Sequence, residues 1–197
     1  LTETHAILQR MRELVVQAGN TATQQPEDLE AIQEEIRALI EELGGEDGSK
    51  GIADRTQFNG KNLLDGSFTD QVLQIGANGG QQLKISIQSM KASDLGTADT
   101  EDESGNPVSG LKINNIDVTE FSTTEFDVQL QAIDDAINQV STQRSALGAI
   151  QNRLEHTINN LGAAQENLTA AESRIRDTDM AKEMMEFTKN TILTQAA

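Results

Sequence analysis

The sequence of 197 residues predicts a mainly α-helical protein with one β-hairpin, arranged as an elongated, rod-like helical bundle. Three observations lead to this prediction. A heptad pattern runs from Phe126 to Ile175, two shorter helical stripes precede residue 45, and apolar and polar residues alternate within 71–88. The chain has no Trp, Tyr or Cys, so its core must be built mainly from aliphatic side chains.

The longest predicted element is a helix whose apolar residues recur at alternating steps of four and three. This spacing keeps one narrow stripe facing a partner, as in a coiled coil, although an ordinary long bundle helix would share much of the pattern. Polar residues at Arg144, Gln151, Gln165 and Glu172 interrupt the stripe, and we expect them to set its register. The residues predicted to pack in this seam are Phe126, Leu130, Ile133, Ile137, Val140, Leu147, Leu154, Ile158, Leu161, Leu168 and Ile175.

Two shorter helices are predicted before the long one. The first runs from Leu1 to Gly19 and is expected to end where Gly and Asn tolerate left-handed backbone. The second carries its apolar stripe from Leu29 to Leu43, with Pro26 suited to its first position. The loop from Gly44 to Gly51 is acidic, but it lacks the ligand spacing of an EF-hand, so we predict no metal site there.

The middle of the chain is predicted to be a hairpin followed by a short variable surface region. Within the hairpin, Gln71 to Gln88, one face is expected to be packed and the other wet, with Asn78-Gly79 in the turn. The residues on the packed face are Leu73, Ile75, Leu83, Ile85 and Ile87. The polar, acidic stretch 96–125 is expected to lie on the surface, with a strand or two and one apolar patch at 111–118.

Composition excludes several classes of function. The net charge of −17 argues against nucleic acid as a partner, because phosphate binding needs a clustered basic surface. No window of about 18 apolar residues is present, so we predict no membrane insertion. The only histidines, His5 and His156, are far apart, and no cysteine or HExxH motif accompanies them. We therefore predict that the chain is not an enzyme and has no catalytic residue, cofactor or metal.

Four stretches carry a resemblance to a known family. They are residues 8–14 (LQRMREL), 56–66 (TQFNGKNLLDG), 147–154 (LGAIQNRL) and 167–177 (NLTAAESRIRD). In this order the chain resembles bacterial flagellin, particularly the short flagellins of Bacillus-like bacteria. The loop from Gly44 to Gly51 is longer than we expect of close relatives.

The resemblance implies a division of the chain into four parts. Residues 1–95 and 126–176 would form a D1-like domain, 96–125 the variable surface region, and 177–197 a linker and the start of a D0-like inner-tube helix. It also implies that the chain is a fragment, lacking the N-terminal segment and most of the inner-tube helix. We consider two alternatives: a hook-filament junction protein, and a non-flagellar secreted coiled-coil interaction protein.

The function implied by the resemblance is that of a secreted structural subunit of the bacterial flagellar filament. Its partners would be other flagellin subunits in a self-assembled homopolymer that serves motility, with flagellar export chaperones for the full-length protein.

The two short helices cannot cover the whole seam, so the stripe from Leu154 through Leu168 to Ile175 is expected to have no partner in this sequence. We expect this chain, as a fragment in isolation, either to self-associate through this stripe or to fray beyond about Arg153, and not to polymerise into filaments by itself.

The resemblance implies a second role, as a ligand of the innate immune receptor TLR5. Arg10 could make a forked contact and an exposed Leu14 could fill an apolar niche, as hot-spot residues do. The alternative is that Arg10 and Glu13 are a solvated helix face, and Leu14 also lies on the apolar stripe of its helix, so its role stays open. The implied receptor-binding positions are Gln9, Arg10, Glu13, Leu14, Glu35 and, as a weaker candidate, Arg153.

Overall fold

The computed structural model describes residues 1–20, 25–44, 50–98, 100–101, 107–108, 110–119, 123–176 and 180–196. The helices in these ranges are α1 (Thr2–Ala18), α2 (Pro26–Gly44), α3 (Ile52–Arg55), α4 (Thr123–Arg176) and α5 (Met180–Ala196), with a 3₁₀ turn at Ile113–Asn115. The antiparallel strand pairs are β1 (Gln57–Phe58) with β2 (Lys61–Asn62), β3 (Gln71–Gln74) with β4 (Gln82–Ile85), and β5 (Thr100–Glu101) with β6 (Pro107–Val108). The prediction of a mainly α protein with a β-hairpin is confirmed.

The chain forms two compact units, Leu1–Ile150 and Gln151–Ala197. The predicted division into four parts stays a prediction. Its linker at 177–179, most of the acidic loop at 45–49 and much of the variable region, including 102–106 and 120–122, lie outside the described residues.

The first unit has one hydrophobic core, to which α1, α2 and α4 each contribute one face. Apolar residues three and four positions apart fall on the same side of a helix, so each helix buries a continuous stripe. The buried residues from these helices include Leu8, Met11, Leu14, Val15 and Ala18 of α1, Ile32, Ile36, Ile40 and Leu43 of α2, and Ile133, Ala136 and Val140 of α4.

Two glycines mark the ends of the first two helices for different reasons. Gly44 has φ +127°, which favours glycine, so α2 ends as the sequence predicted. Gly19 instead keeps right-handed helical backbone, and the predicted left-handed end of α1 is wrong. A Cβ at Gly19 would lie 2.5 Å from the ring of Phe126, so this glycine allows the end of α1 to approach the start of α4.

The buried face of α4 in the first unit is wider than the predicted heptad seam. Ile133 and Val140 are buried, while Phe126, Leu130, Ile137 and Leu147 are half-buried. Four further residues are buried that the seam did not include: Gln129, Ala132, Ala136 and Gln143. The buried positions Gln129, Ile133, Ala136, Val140 and Gln143 keep the four–three spacing of the heptad pattern, and they form a row that only partly coincides with the predicted seam.

The apolar patch that the sequence shows at 111–118, within the expected surface region 96–125, is part of the core. Ile113, Ile116 and Val118 are all buried. The buried side chain of Gln33 on α2 holds this segment: its Nε2 donates to the Ile116 carbonyl at 3.0 Å, and its Oε1 accepts from the Val118 amide at 2.9 Å. One side-chain amide thus supplies the donor and acceptor that a neighbouring strand would otherwise supply.

The hairpin packs through one of its two strands. Leu83 of β4 and Ile87 are buried, but Leu73, directly opposite Leu83, is 41% exposed, so the predicted packing of Leu73 is wrong. The pairing of the two strands continues beyond β3 and β4, where the Ile87 amide donates to the Phe68 carbonyl at 2.8 Å.

The motif at 56–66 forms a small, locally determined structure. Asn59 and Gly60, between β1 and β2, both have positive φ, as a type I′ hairpin turn requires. After the turn, the Asp65 carboxylate accepts hydrogen bonds from the Ser67 hydroxyl at 2.6 Å and the Asn62 amide at 2.8 Å. These bonds lower the pKa of Asp65 to about 2, so its carboxylate stays ionised at a lower pH than an ordinary aspartate does.

Replacing Gln33 by Leu should destabilise the first unit. The apolar side chain fills similar space but leaves the Ile116 carbonyl and the Val118 amide buried without a partner, at about 1–3 kcal/mol each. Urea unfolding should therefore show a loss of about 2 kcal/mol or more, and Gln131→Leu on the exposed face of α4 should stay within about 0.5 kcal/mol of the parent. Equal losses of stability from the two substitutions would contradict the role of Gln33 in holding the segment 116–118 to α2.

Candidate functional site

Three charged residues that are implied as receptor contacts lie together on the surface of α1 and α2. Arg10 Nε donates to Glu35 Oε1 at 2.9 Å, and Arg10 Nη2 lies 2.7 Å from the same oxygen. Arg10 Nη1 donates to Glu13 Oε2, one turn along α1, at 3.2 Å. The fold thus brings together residues that are 25 positions apart in the sequence.

This charge cluster, Arg10, Glu13 and Glu35, stays accessible to solvent. All three side chains are about half exposed or more. The pKa of Arg10 is raised, first by its hydrogen bond to Glu35 and then by that to Glu13, so the guanidinium remains charged. Exposed ion pairs contribute little to stability. Each of these side chains can therefore give up its partner in the cluster and bind an external partner at a small cost in free energy.

The other implied receptor positions are not part of the charge cluster. Leu14 is 2% exposed and belongs to the hydrophobic core, so its assignment as a receptor contact is wrong; its place on the apolar stripe of α1 decides its role. Gln9 is exposed, with its Nε2 3.0 Å from His5 Nε2. Arg153 is exposed and lies in the second unit.

A second arginine on α1 contacts the other neighbouring helix. Arg12 Nε donates to Asp134 Oδ1 of α4 at 2.7 Å, and this bond raises the pKa of Arg12. Local sequence patterns do not predict this pair, because the partners are 122 positions apart. Arg10 and Arg12 thus tie the same helix to two different partners, and their side chains are similarly exposed.

In the second unit, the apolar residues of α4 are exposed. The side chains of the α4 stripe, which we define as Ile158, Leu161, Leu168 and Ile175, are 44–88% exposed, whereas Leu154 is half-buried. These four residues therefore do not pack within the described part of the chain, although the sequence assigned them to the seam. The helices available for pairing in the first unit, α1 and α2, have only 17 and 19 residues against the 54 of α4.

The last helix carries another exposed apolar surface. Its α5 stripe, defined as Met184, Met185, Ile192 and Leu193, lines a shallow surface groove together with Ala181, Thr188 and Lys189. The intervals between these seven residues alternate between three positions and one, so the residues follow one side of the helix. Phe187 and Met180 extend the exposed apolar surface beside the groove.

The described residues contain no group of three His, Asp or Glu side chains placed to hold a metal ion. None of the described helices combines the length and apolarity that crossing a membrane requires.

Comparison with known proteins gives matches along the chain. The family described as "Bacterial flagellin N-terminal helical region" matches residues 1–69, and "Bacterial flagellin C-terminal helical region" matches residues 130–197. A flagellin of Bacillus subtilis strain 168 is 54% identical over the whole of this chain, which covers 68% of the length of that relative. The chain belongs to the bacterial flagellin family.

Other relatives extend the comparison to more distant bacteria. A flagellin of Halalkalibacterium halodurans is 44% identical, and the "Flagellar filament 33 kDa core protein" of Treponema phagedenis is 41% identical. Both alignments span this whole chain, which covers 64% and 65% of the lengths of those flagellar proteins. The chain thus spans about two thirds of the length of these relatives.

A solved structure agrees with the fold. FliC from Burkholderia pseudomallei superposes with a TM-score of 0.63 at 20% identity, covering 77% of this chain and 95% of the other. The similarity supports the flagellin fold. Members of the flagellin family are structural proteins of the flagellar filament rather than enzymes.

Proposed function

We propose that this chain is a structural subunit that assembles with further copies of itself into the extracellular flagellar filament and so serves motility. The observation that carries the proposal is the exposure of the α4 stripe and the α5 stripe in the second unit. Contiguous apolar surfaces of this kind mark interaction sites in water. The flagellar relatives support a homopolymer rather than an unrelated partner.

Charge also favours a second copy as the occupant of these stripes. The whole chain has a net charge of −17, which would make identical copies repel each other. Within 151–176 and 180–196, however, five Lys or Arg residues balance five Glu residues. Two copies can therefore meet along these helices without strong net repulsion, although the rest of the chain is acidic.

The alternatives raised by the sequence receive less support. The named relatives are flagellins or a filament core protein, which favours a filament subunit over a hook-filament junction protein or a non-flagellar coiled-coil protein. Export chaperones remain proposed partners. They would need to shield the same apolar stripes before assembly.

Self-assembly through the α4 stripe can be tested by a paired substitution. In Ile158→Asp/Leu168→Asp, each new carboxylate would be buried at the contact, so association should weaken by about tenfold or more, equivalent to about 1.4 kcal/mol. Sedimentation velocity over a range of concentrations measures this change.

The matched control is Asn159→Asp/Asn167→Asp, which adds the same charge at exposed positions one residue away from the stripe. It should associate like the parent, apart from a small effect of charge. Equal weakening in both variants would assign the effect to charge alone, and a parent that is monomeric at every concentration would contradict self-assembly.

We propose a second function, as a ligand of the innate immune receptor TLR5, because the fold brings Arg10, Glu13 and Glu35 together on one exposed surface. The guanidinium retains donors that the two carboxylates leave unused, and it can bind an external acceptor in a forked geometry. Gln9 lies on the same helix and is a further proposed contact. The role of Arg153 also stays a prediction.

Replacing Arg10 by Ala should weaken receptor signalling in cells by about tenfold or more, as expected for a hot-spot residue. The circular dichroism spectrum should be unchanged, because the side chain is exposed. Arg12→Ala is the matched control, since Arg12 lies on the same helix, is similarly exposed and also makes an interhelical ion pair.

Signalling by Arg12→Ala should stay close to that of the parent. If both variants lose signalling equally, a general loss of α1 packing accounts for the effect. If neither variant loses signalling, the charge cluster has no role in receptor binding.

A further inference from the structure

The five methionines of the chain fall into two groups with opposite exposure. Met11 and Met90 are buried in the core of the first unit, with exposures of 0% and 1%. Met180, Met184 and Met185 are 67%, 56% and 67% exposed, and all three lie on α5. The most oxidisable side chains of a chain without cysteine are therefore concentrated on one helix.

Two of these methionines belong to the α5 stripe itself. Met184 and Met185 lie two turns before Ile192 and Leu193 on the same side of the helix, and the four side chains line one shallow groove. A thioether is apolar and flexible, and it packs against aliphatic side chains. A sulfoxide at the same position is polar and brings an oxygen acceptor into the stripe.

We propose that the methionines of α5 are a modification site at which two-electron oxidants control self-assembly. In the free chain, conversion of Met180, Met184 and Met185 to sulfoxides makes the stripe polar, so association with a second copy is lost. This inference rests on the proposed self-assembly. It adds a chemical class of reactant, peroxides, and a regulatory consequence that assembly alone does not require.

The reaction is balanced with hydrogen peroxide as the oxidant. A sulfur lone pair attacks one peroxide oxygen, a sulfur–oxygen bond forms and the oxygen–oxygen bond breaks. The sulfur loses two electrons, the peroxide is reduced by two electrons, and the displaced hydroxide takes the remaining proton to leave as water. Methionine sulfoxide reductases reverse the change, one enzyme for each sulfoxide epimer.

The charged residues near the three thioethers are balanced in sign, so they favour neither a positively nor a negatively charged oxidant. Lys182 and Lys189 balance Glu183 and Glu186 along α5. Exposure therefore decides the rate of oxidation, and the buried Met11 and Met90 serve as internal controls within the same molecule.

The test is to treat the parent chain with hydrogen peroxide and to follow both peptide masses and sedimentation. We expect peptides containing Met180, Met184 and Met185 to gain one oxygen per methionine while those containing Met11 and Met90 do not. The oxidised chain should lose the association seen before treatment. Reduction by the two methionine sulfoxide reductases together should restore it.

The matched variant is Met180→Leu/Met184→Leu/Met185→Leu, which keeps apolar side chains of similar volume and has no exposed sulfur. It should associate like the parent and stay associated after the same treatment. Circular dichroism of each sample measures helix content, so that loss of association can be separated from unfolding.

Three results would overturn the inference while leaving self-assembly intact. In the first, a parent chain that carries three sulfoxides associates as before. In the second, Met11 and Met90 are oxidised as fast as the methionines of α5. In the third, the treated leucine variant loses association as much as the treated parent does. A parent chain that is monomeric before treatment at every concentration would instead overturn the proposed self-assembly, and this inference with it.

Discussion

The structure depends on burial of one face of the first part of α4 against α1 and α2. Ile133, Ala136 and Val140 of α4 meet the apolar stripes of the two shorter helices in a single core, and removal of this apolar surface from water is the main stabilising contribution. Because α1 and α2 have 17 and 19 residues, they provide a limited length of apolar surface to a helix of 54 residues. The same sequence pattern is therefore core in one unit and exposed surface in the other. This contrast makes α4 a packing element in the first unit and, as we propose, an interaction surface in the second.

Glutamine side chains, buried at Gln33 and Gln129 and half-buried at Gln139, connect the irregular segments to the bundle. Gln33 of α2 and Gln129 of α4 bond to the backbone of 116–118, and Gln139 both donates to the Gly96 carbonyl at 2.7 Å and accepts from the Gly96 amide at 3.4 Å. A helix cannot pair with a strand through its own backbone, which is already hydrogen-bonded internally. Side-chain amides carry both a donor and an acceptor, so they satisfy buried backbone groups where no sheet is available. Gly96 and the segment 116–118 are thereby held to the bundle.

Local patterns in the sequence predicted the helices and strands, whereas most contacts between these elements could not be predicted from the sequence. The bounds of α1, to within one residue, and the start of α2 at Pro26 follow from neighbouring residues, and the sequence predicted them. Gln33, Gln129 and the pair Arg12–Asp134 act across 12 to 122 positions, and a polar residue on a helix shows no local sign of such a partner. The sequence left open whether Leu14 is a receptor contact or a core residue. Its burial assigns it to the core, because only the packed structure shows which residues of the stripe are accessible. The ion pairs of Arg10 were likewise visible only after α1 and α2 had been placed side by side.

The most direct test of this account is residue-resolved hydrogen exchange along α4 in a proven monomer at low concentration. Amides from Gln129 to Gln143, on the buried face, should exchange only through large-scale unfolding of the first unit, whereas those from Ile158 to Ile175 should exchange by local opening. We therefore expect strong protection in the first segment and weak protection in the second. Equal and strong protection of both segments in the monomer would contradict the account, because it would mean that the α4 stripe has a partner within the chain.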